Sequence, residues 1–230
     1  MVWPFTGATQ LKLAHRMPRS HALGKERPVA HVHEITIWTR GVVKDKEGRD
    51  VANGIAAAAD QDGKFTQAFD NYVDLPDRVN VPLRKYARIS DEEIEMRYDY
   101  ENESPEVVVL VDATIVKGMN VLQGMQKGGV LLVNTDRSPD EILKFVPNRE
   151  LLKAVVCVDA TRIAGSATVD FSGTEGGVDA VGLGAGIAAP ILGAFAKATQ
   201  LVKLEMLAGV VSNKDALRRG HDSAVIQTLN

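Results

Sequence analysis

Val107-Val108-Val109-Leu110-Val111-Asp112 is the stretch that decides the fold. An unbroken run of mostly β-branched apolar residues, without alternation, reads as a strand buried on both faces, closed here by an acid. The pattern recurs twice downstream. Gly128-Gly129 turns into Val130-Leu131-Leu132-Val133, closed by Asn134-Thr135, and Ala154-Val155-Val156-Cys157-Val158 is closed by Asp159. The segments between them, Ile115 to Gln126 and Glu141 to Val146, read as helices. Buried strands separated by helices predict an open, mostly parallel, doubly wound α/β sheet.

Upstream, His33 to Trp38 reads as a further strand and an alanine-rich segment from about Arg49 to Ala59 as a helix. In that helix Val51, Ile55 and Ala58/Ala59 make a narrow stripe of small apolar residues suited to close packing on a sheet, and Gly63 is placed to end it in a left-handed cap. Between strand and helix, Thr39 to Asp50 reads as a charged loop with glycines at 41 and 48. Strand, glycine-bearing loop and helix is the order in which α/β proteins receive anions, because the helix N-terminus aims amide N–H groups at negative charge.

Phe65 to Phe69 and Leu83 to Ile89 alternate like strands, the second with Leu83, Lys85, Ala87 and Ile89 on one face and Arg84, Tyr86 and Arg88 on the other. Ile94 to Tyr100 reads as an edge strand, and the glycine-dense run from Phe171 to Gly186 as loop. Pro190 suits the first turn of a helix carrying Ile191, Phe195 and Ala198. Leu201 to Val210 reads as another helix, and Asp215 to Ala224 as an exposed one.

The totals narrow the function classes. A chain of 230 residues with net charge −3 forms a full core and presents no overall field for nucleic acid or membrane. Broken apolar stretches exclude a spanning helix, so the expectation is a soluble cytoplasmic protein. A single cysteine, Cys157, excludes an internal disulfide and a cluster held by several thiolates of this chain. Residues 1–32 carry Lys12, Arg16, Arg19, Lys25 and Arg27 against Glu26, a basic arm of +4 that leaves −7 for residues 33–230, read as one domain. The arm makes a poor signal peptide. A disordered tail and an arm folded onto a partner subunit are both open readings.

Several chemical motifs carry two readings. Asp112, Asp159 and Asn134-Thr135 sit where α/β ligand sites occur, and Asp there is also an ordinary helix cap. Gly184-Ala185-Gly186-Ile187-Ala188-Ala189 fits G-x-G-x-x-A formally, but no convincing βαβ unit surrounds it, which favours a glycine loop before a packed helix. His31 and His33 share one side of an extended segment, yet no further ligand is spaced to join them, so no metal site is expected. No nucleophile elbow, H-E-x-x-H or phosphate loop occurs, and no catalytic residue is assigned.

Taken together, several stretches resemble the gamma subunit of the 2-oxoacid:ferredoxin oxidoreductases, the pyruvate:ferredoxin oxidoreductase family. Gly63 to Phe69 resembles G-K-Y-A-Q-A-F, and Pro76-Asp77-Arg78-Val79-Asn80-Val81-Pro82 resembles P-E-R-R-G-A-P. Arg88-Ile89-Ser90 matches R-I-S, Val109 to Thr114 resembles V-L-D-P-T, and Gly128 to Thr135 resembles G-G-x-L-I-V-N-T. Val158 to Ala164 and Leu192 to Thr199 match almost letter for letter. The resemblance spans residues 33 to 210.

It implies a divergent, Rossmann-like gamma domain within a complex that oxidatively decarboxylates a 2-oxoacid, usually to acyl-CoA. Thiamine diphosphate, magnesium and iron–sulfur clusters would reside in alpha, beta and ferredoxin-like delta subunits, with none bound by this chain alone, and ferredoxin or NAD would accept the electrons. Coenzyme A would meet the chain at an interface. The residues this implies for cofactor contact are Arg40, Gly41, Lys44, Gly48, Arg49, Asp77, Arg78, Asn134 and Thr135. Where the family has G-R-G-G-Q-G this chain keeps only Arg40 and Gly41, and Val79 and Asn80 replace an Arg and a Gly. The tight glycine turn is therefore expected to be lost to a charged insertion, and a substrate other than pyruvate, such as oxalate or an aryl glyoxylate, would rationalise the changes. The rival readings are a free-standing NAD- or ligand-binding domain and a purely structural subunit.

Overall fold

A computed structural model describes residues 31–70, 81–95, 100–165, 183–184 and 186–229. Its centre is a seven-stranded mixed sheet in the order β2-β3-β1-β4-β5-β6-β7. The strands are β1 (Val32–Arg40), β2 (Phe65–Asp70), β3 (Pro82–Ser90), β4 (Val107–Leu110), β5 (Gly129–Asn134), β6 (Leu152–Val158) and β7 (Val225–Thr228). β1, β4, β5 and β6 form a contiguous parallel block. Antiparallel β3 and β2 extend it on one side and β7 on the other.

The apolar runs behave as their composition dictates. In β4, Val107 and Val109 face one layer while Val108 and Leu110 face the other. The same alternation in β5 and β6 divides Val130, Leu132, Val156 and Val158 from Leu131, Val133, Val155 and Cys157. One layer holds α1 (Gly41–Gln61), α3 (Ala160–Gly165), α4 (Ala188–Thr199), α5 (Leu204–Val210) and α6 (Lys214–Ser223). The opposite layer holds a 3-10 turn at Ala113–Lys117, the turns after it and α2 (Pro139–Leu143). Gly63, at φ +82°, ends α1 as expected. Lys64 N donates to Ala59 O at 3.0 Å and Gly63 N to Asp60 O at 2.9 Å, the paired bonds of a Schellman cap.

Four expectations are corrected. Thr39 to Asp50 is not a loop: β1 runs to Arg40 and α1 begins at Gly41, whose φ of +76° makes the whole turn. The tight glycine turn is therefore retained, and the charged residues are the opening turns of the helix. Gly48 lies inside α1, where an added Cβ would stand 2.1 Å from Thr39 Cγ2, so it lets the helix lie directly on β1. Second, Ile115 to Gln126 is not an α-helix but the 3-10 turn followed by tight turns. Gly124, at φ +83°, stands where a Cβ would come within 2.2 Å of Glu103 O, a contact no regular helix provides, while Ile115, Val116, Val121, Leu122 and Met125 are still buried.

Third, Ile94, Glu95 and Tyr100 are not strand, and residues 96–99 lie outside the described ones. Fourth, α6 is not simply exposed, because Ala216, Leu217 and Gly220 are buried against α4. The Arg84, Tyr86 and Arg88 face of β3, opposite α1, is covered as well. Arg88 Nε donates to Asn102 Oδ1 at 3.0 Å, and Asn102 Nδ2 donates to Ile35 O at 2.9 Å.

Candidate functional site

The chain leaves β1 into one layer and leaves β4 and β5 into the other. That divergence opens a crevice at the carboxyl ends of the parallel strands, the place where open α/β sheets bind ligands. A cleft of about 380 Å³ lies there, lined by residues including Lys44, Asp112, Thr114, Lys117, Thr135, Arg137, Asp159 and Thr161.

Side chains from the two layers meet across the crevice. Lys44 Nζ, one turn into α1, lies 2.8 Å from Asp112 Oδ2. Asp112 Oδ1 accepts from Thr114 N at 2.9 Å and Thr114 Oγ1 at 2.6 Å, so the acid caps the 3-10 turn while it pairs with lysine. Arg40 Nη1 donates to the same Thr114 hydroxyl at 3.2 Å. Burial alone would push the Asp112 carboxyl up, but hydrogen bonds from Lys44 and Thr114 outweigh it and hold the group below the usual carboxylate range.

The pH consequence follows from that direction. A depressed folded-state pKa stabilises the fold above the unfolded-state value, near pH 4, and the benefit disappears as pH falls through the folded value. Asp112→Asn is therefore expected to cost roughly 1 kcal/mol at pH 7. The gap from the native chain should vanish on acidification below about pH 4. Urea denaturation at stepped pH measures it.

Asn134 holds the rear of the cleft. Its Nδ2 donates to Val111 O at 3.1 Å and to Thr161 Oγ1 at 3.2 Å, and its Oδ1 accepts from Ala160 N at 3.0 Å. One buried amide thus ties the ends of β4, β5 and β6 together, which suits a positioning role. Asp159 caps α3 by accepting from Arg162 N at 2.9 Å.

Of the residues singled out from sequence, Arg40, Lys44, Asn134 and Thr135 come together here. Gly41 makes the turn beneath them. Gly48 packs on Thr39, and Arg49 points away from the cleft into an ion cluster with Asp45 at 3.1 Å and Asp70 at 2.9 Å. Asp77 and Arg78 lie outside the described residues. Lys117 and Arg137 escaped the sequence reading, and Thr114 and Thr161 entered it only within the family motifs, not as site residues. Cys157 is buried and its thiol is pushed up to about 12 by desolvation, so it is no nucleophile.

The G-x-G-x-x-A run meets a carboxylate of the chain itself. Ala188 N, at the head of α4, donates to Glu47 Oε2 at 2.9 Å. A Cβ on Gly186 would come within 2.1 Å of Glu47 Oε1, so this glycine admits the α1 glutamate where a dinucleotide would place its diphosphate. No helix among the described residues is long and apolar enough to cross a membrane.

Residues 48–222 match the family model described as pyruvate ferredoxin/flavodoxin oxidoreductase. The chain is similar to the pyruvate/ketoisovalerate oxidoreductases common subunit gamma of Thermococcus kodakarensis, 36% identical over 67% of this chain and 72% of that protein. It is 32% identical to the pyruvate synthase subunit PorC of Thermotoga maritima over 73% of this chain and 83% of that one. Among solved structures, the pyruvate oxidoreductase subunit PORC of Thermotoga maritima superposes with a TM-score of 0.64 at 27% identity, covering 85% of this chain and 98% of the other.

Proposed function

The chain belongs to the pyruvate ferredoxin/flavodoxin oxidoreductase family as a gamma subunit of a 2-oxoacid:ferredoxin oxidoreductase, and from that premise we propose that its strand-end cleft meets the anionic acyl acceptor, coenzyme A. The observation that supports this reading is the convergence of Arg40 from the end of β1 and Lys44 from α1 with Thr114 and Asp112 beyond β4, flanked by Lys117 and Arg137. Two lysines and two arginines beside threonine hydroxyls supply the charge-assisted donors that a phosphate-bearing ligand needs.

The remaining chemistry belongs to partner subunits on this reading. One buried cysteine offers no set of thiolates for an iron–sulfur cluster. Thiamine diphosphate would supply the decarboxylation of the 2-oxoacid from the alpha and beta subunits, with ferredoxin-like delta or a soluble acceptor taking the electrons. This chain's own part is to bind, orient and wall off the acceptor side, with Arg40 and Lys44 as anion contacts and Asn134 as the brace beneath them. Asp77 and Arg78 are proposed to shape the same side or the subunit contact. A substrate such as oxalate or an aryl glyoxylate is proposed from the Val79 and Asn80 replacements.

The test is kinetic, on the purified complex. Lys44→Ala removes a donor and leaves Asp112 facing the anion without its counter-charge. It should raise the Michaelis constant for coenzyme A about tenfold or more. Arg137→Ala should act in the same direction. The kcat values should stay within about twofold, because the contacts are made before the chemistry as well as during it. Arg49→Ala should lower stability with little change in that constant. Unchanged constants in the Lys44 and Arg137 variants would instead identify a purely structural subunit.

A further inference from the structure

At the opposite end of the sheet from the cleft, the heads of β1 and β4 bring together three groups with metal-ligand chemistry. His31 and His33 alternate along extended chain and so share a side, with ring centroids 4.6 Å apart. The residue missing from the sequence pattern is Glu106, more than seventy positions away. Parallel pairing of Ile35 with Val107 sets it beside the histidines. Its carboxylate spans both rings. Oε2 lies 2.8 Å from His33 Nδ1, and Oε1 contacts His31 Nε2.

The support beneath this trio is rigid. Glu106 N donates to Glu34 O at 2.9 Å, and Glu106 O accepts from Val130 N at 2.9 Å, so the neighbouring strands fix its backbone. His33 sits in the β1–β3 ladder opposite Ile89. His31, with 68% of its side chain exposed, is the adjustable member. The nearby Asp91 carboxylate is engaged by Lys64.

We infer that His31, His33 and Glu106 form a zinc site that fastens the chain entering β1 to the head of β4. Two neutral imidazoles and one carboxylate are a set that zinc accepts, with water in the remaining tetrahedral position. The three ligand atoms already lie within 4.8 Å of one another. Tetrahedral bonds of about 2.1 Å place ligand atoms roughly 3.4 Å apart, and rotation of the exposed His31 ring closes the difference.

The test uses the full chain, stripped with chelator and titrated with Zn²⁺ against a chromophoric competitor. Co²⁺ serves as a spectroscopic substitute. The expected result is one zinc per chain, a visible d–d band with cobalt, and a melting temperature that rises on adding zinc. His31→Ala, His33→Ala and Glu106→Gln should each weaken binding at least about tenfold. His221→Ala and the double change His15→Ala/His21→Ala should leave it intact. Because His31 is mostly exposed, its variant keeps the fold, checked by circular dichroism, and separates lost binding from lost structure. Failure to take up zinc, or uptake that survives all three ligand changes, overturns the site.

Discussion

Asp45→Asn is expected to destabilise the chain by about 3–4 kcal/mol, the signature of a buried cation stripped of its counter-charge. Lys85 lies on the face of β3 that α1 covers, and its side chain is 2% exposed. Its ammonium is 2.7 Å from Asp45 Oδ1 and 3.4 Å from Asp70 Oδ2. Asparagine keeps the shape but removes the charge, leaving Asp70, at the longer distance, as the counter-charge of Lys85. The opposite change should be milder. Lys85→Met leaves both acids paired with Arg49, so roughly 1 kcal/mol is expected. A urea midpoint that falls far more for Asp45→Asn than for Lys85→Met would establish the asymmetry, and equal losses would refute it. This network also explains why Arg49 is not at the cleft: it is the outer cation of a cluster that pins α1 to β3 and β2.

Gly220→Ala is expected to cost about 3 kcal/mol, against the ordinary preference of helices for alanine over glycine, about 1 kcal/mol. A Cβ at this position would stand 2.1 Å from Pro190 O and 2.4 Å from Pro190 Cα. The obstacle is backbone, which cannot rotate away. From the other side, a Cβ on Gly193 would meet Leu217 O at 2.0 Å, so α4 and α6 touch main chain to main chain at both glycines. Thermal melting should show a fall of roughly 6–12 °C for a chain of this size. Gly54→Ala is the control. There the nearest atom is the end of the Leu192 side chain at 2.7 Å, which can swing aside, and the change should be small.

The sequence was legible where one physical signal dominates. Continuous valine and leucine runs at 107–111, 130–133 and 154–158 have no stable placement except between two covering layers, so the parallel block could be read directly. Alternation at Leu83 to Ile89 correctly assigned two faces, and Gly63 correctly marked a cap. Local signals misled where a single glycine does the work of several. Gly41 turns the chain by itself at positive φ, so the charged residues that read as loop became helix. From Ile115 onward the periodicity was helical, but Gly124 is held against Glu103 O by a contact remote in sequence.

By itself the sequence determined the buried parallel strands, the family motifs and the polar residues at the strand ends, because burial, turn chemistry and strand-end polarity are local properties. Only the tertiary structure decided which charges meet. Lys44 finds Asp112 across 68 residues, Arg40 finds Thr114 across 74, and Glu106 closes on His33 across 73. The physical reason is the sheet: parallel pairing places distant strand ends side by side, and no periodicity within a segment records which strand will be its neighbour.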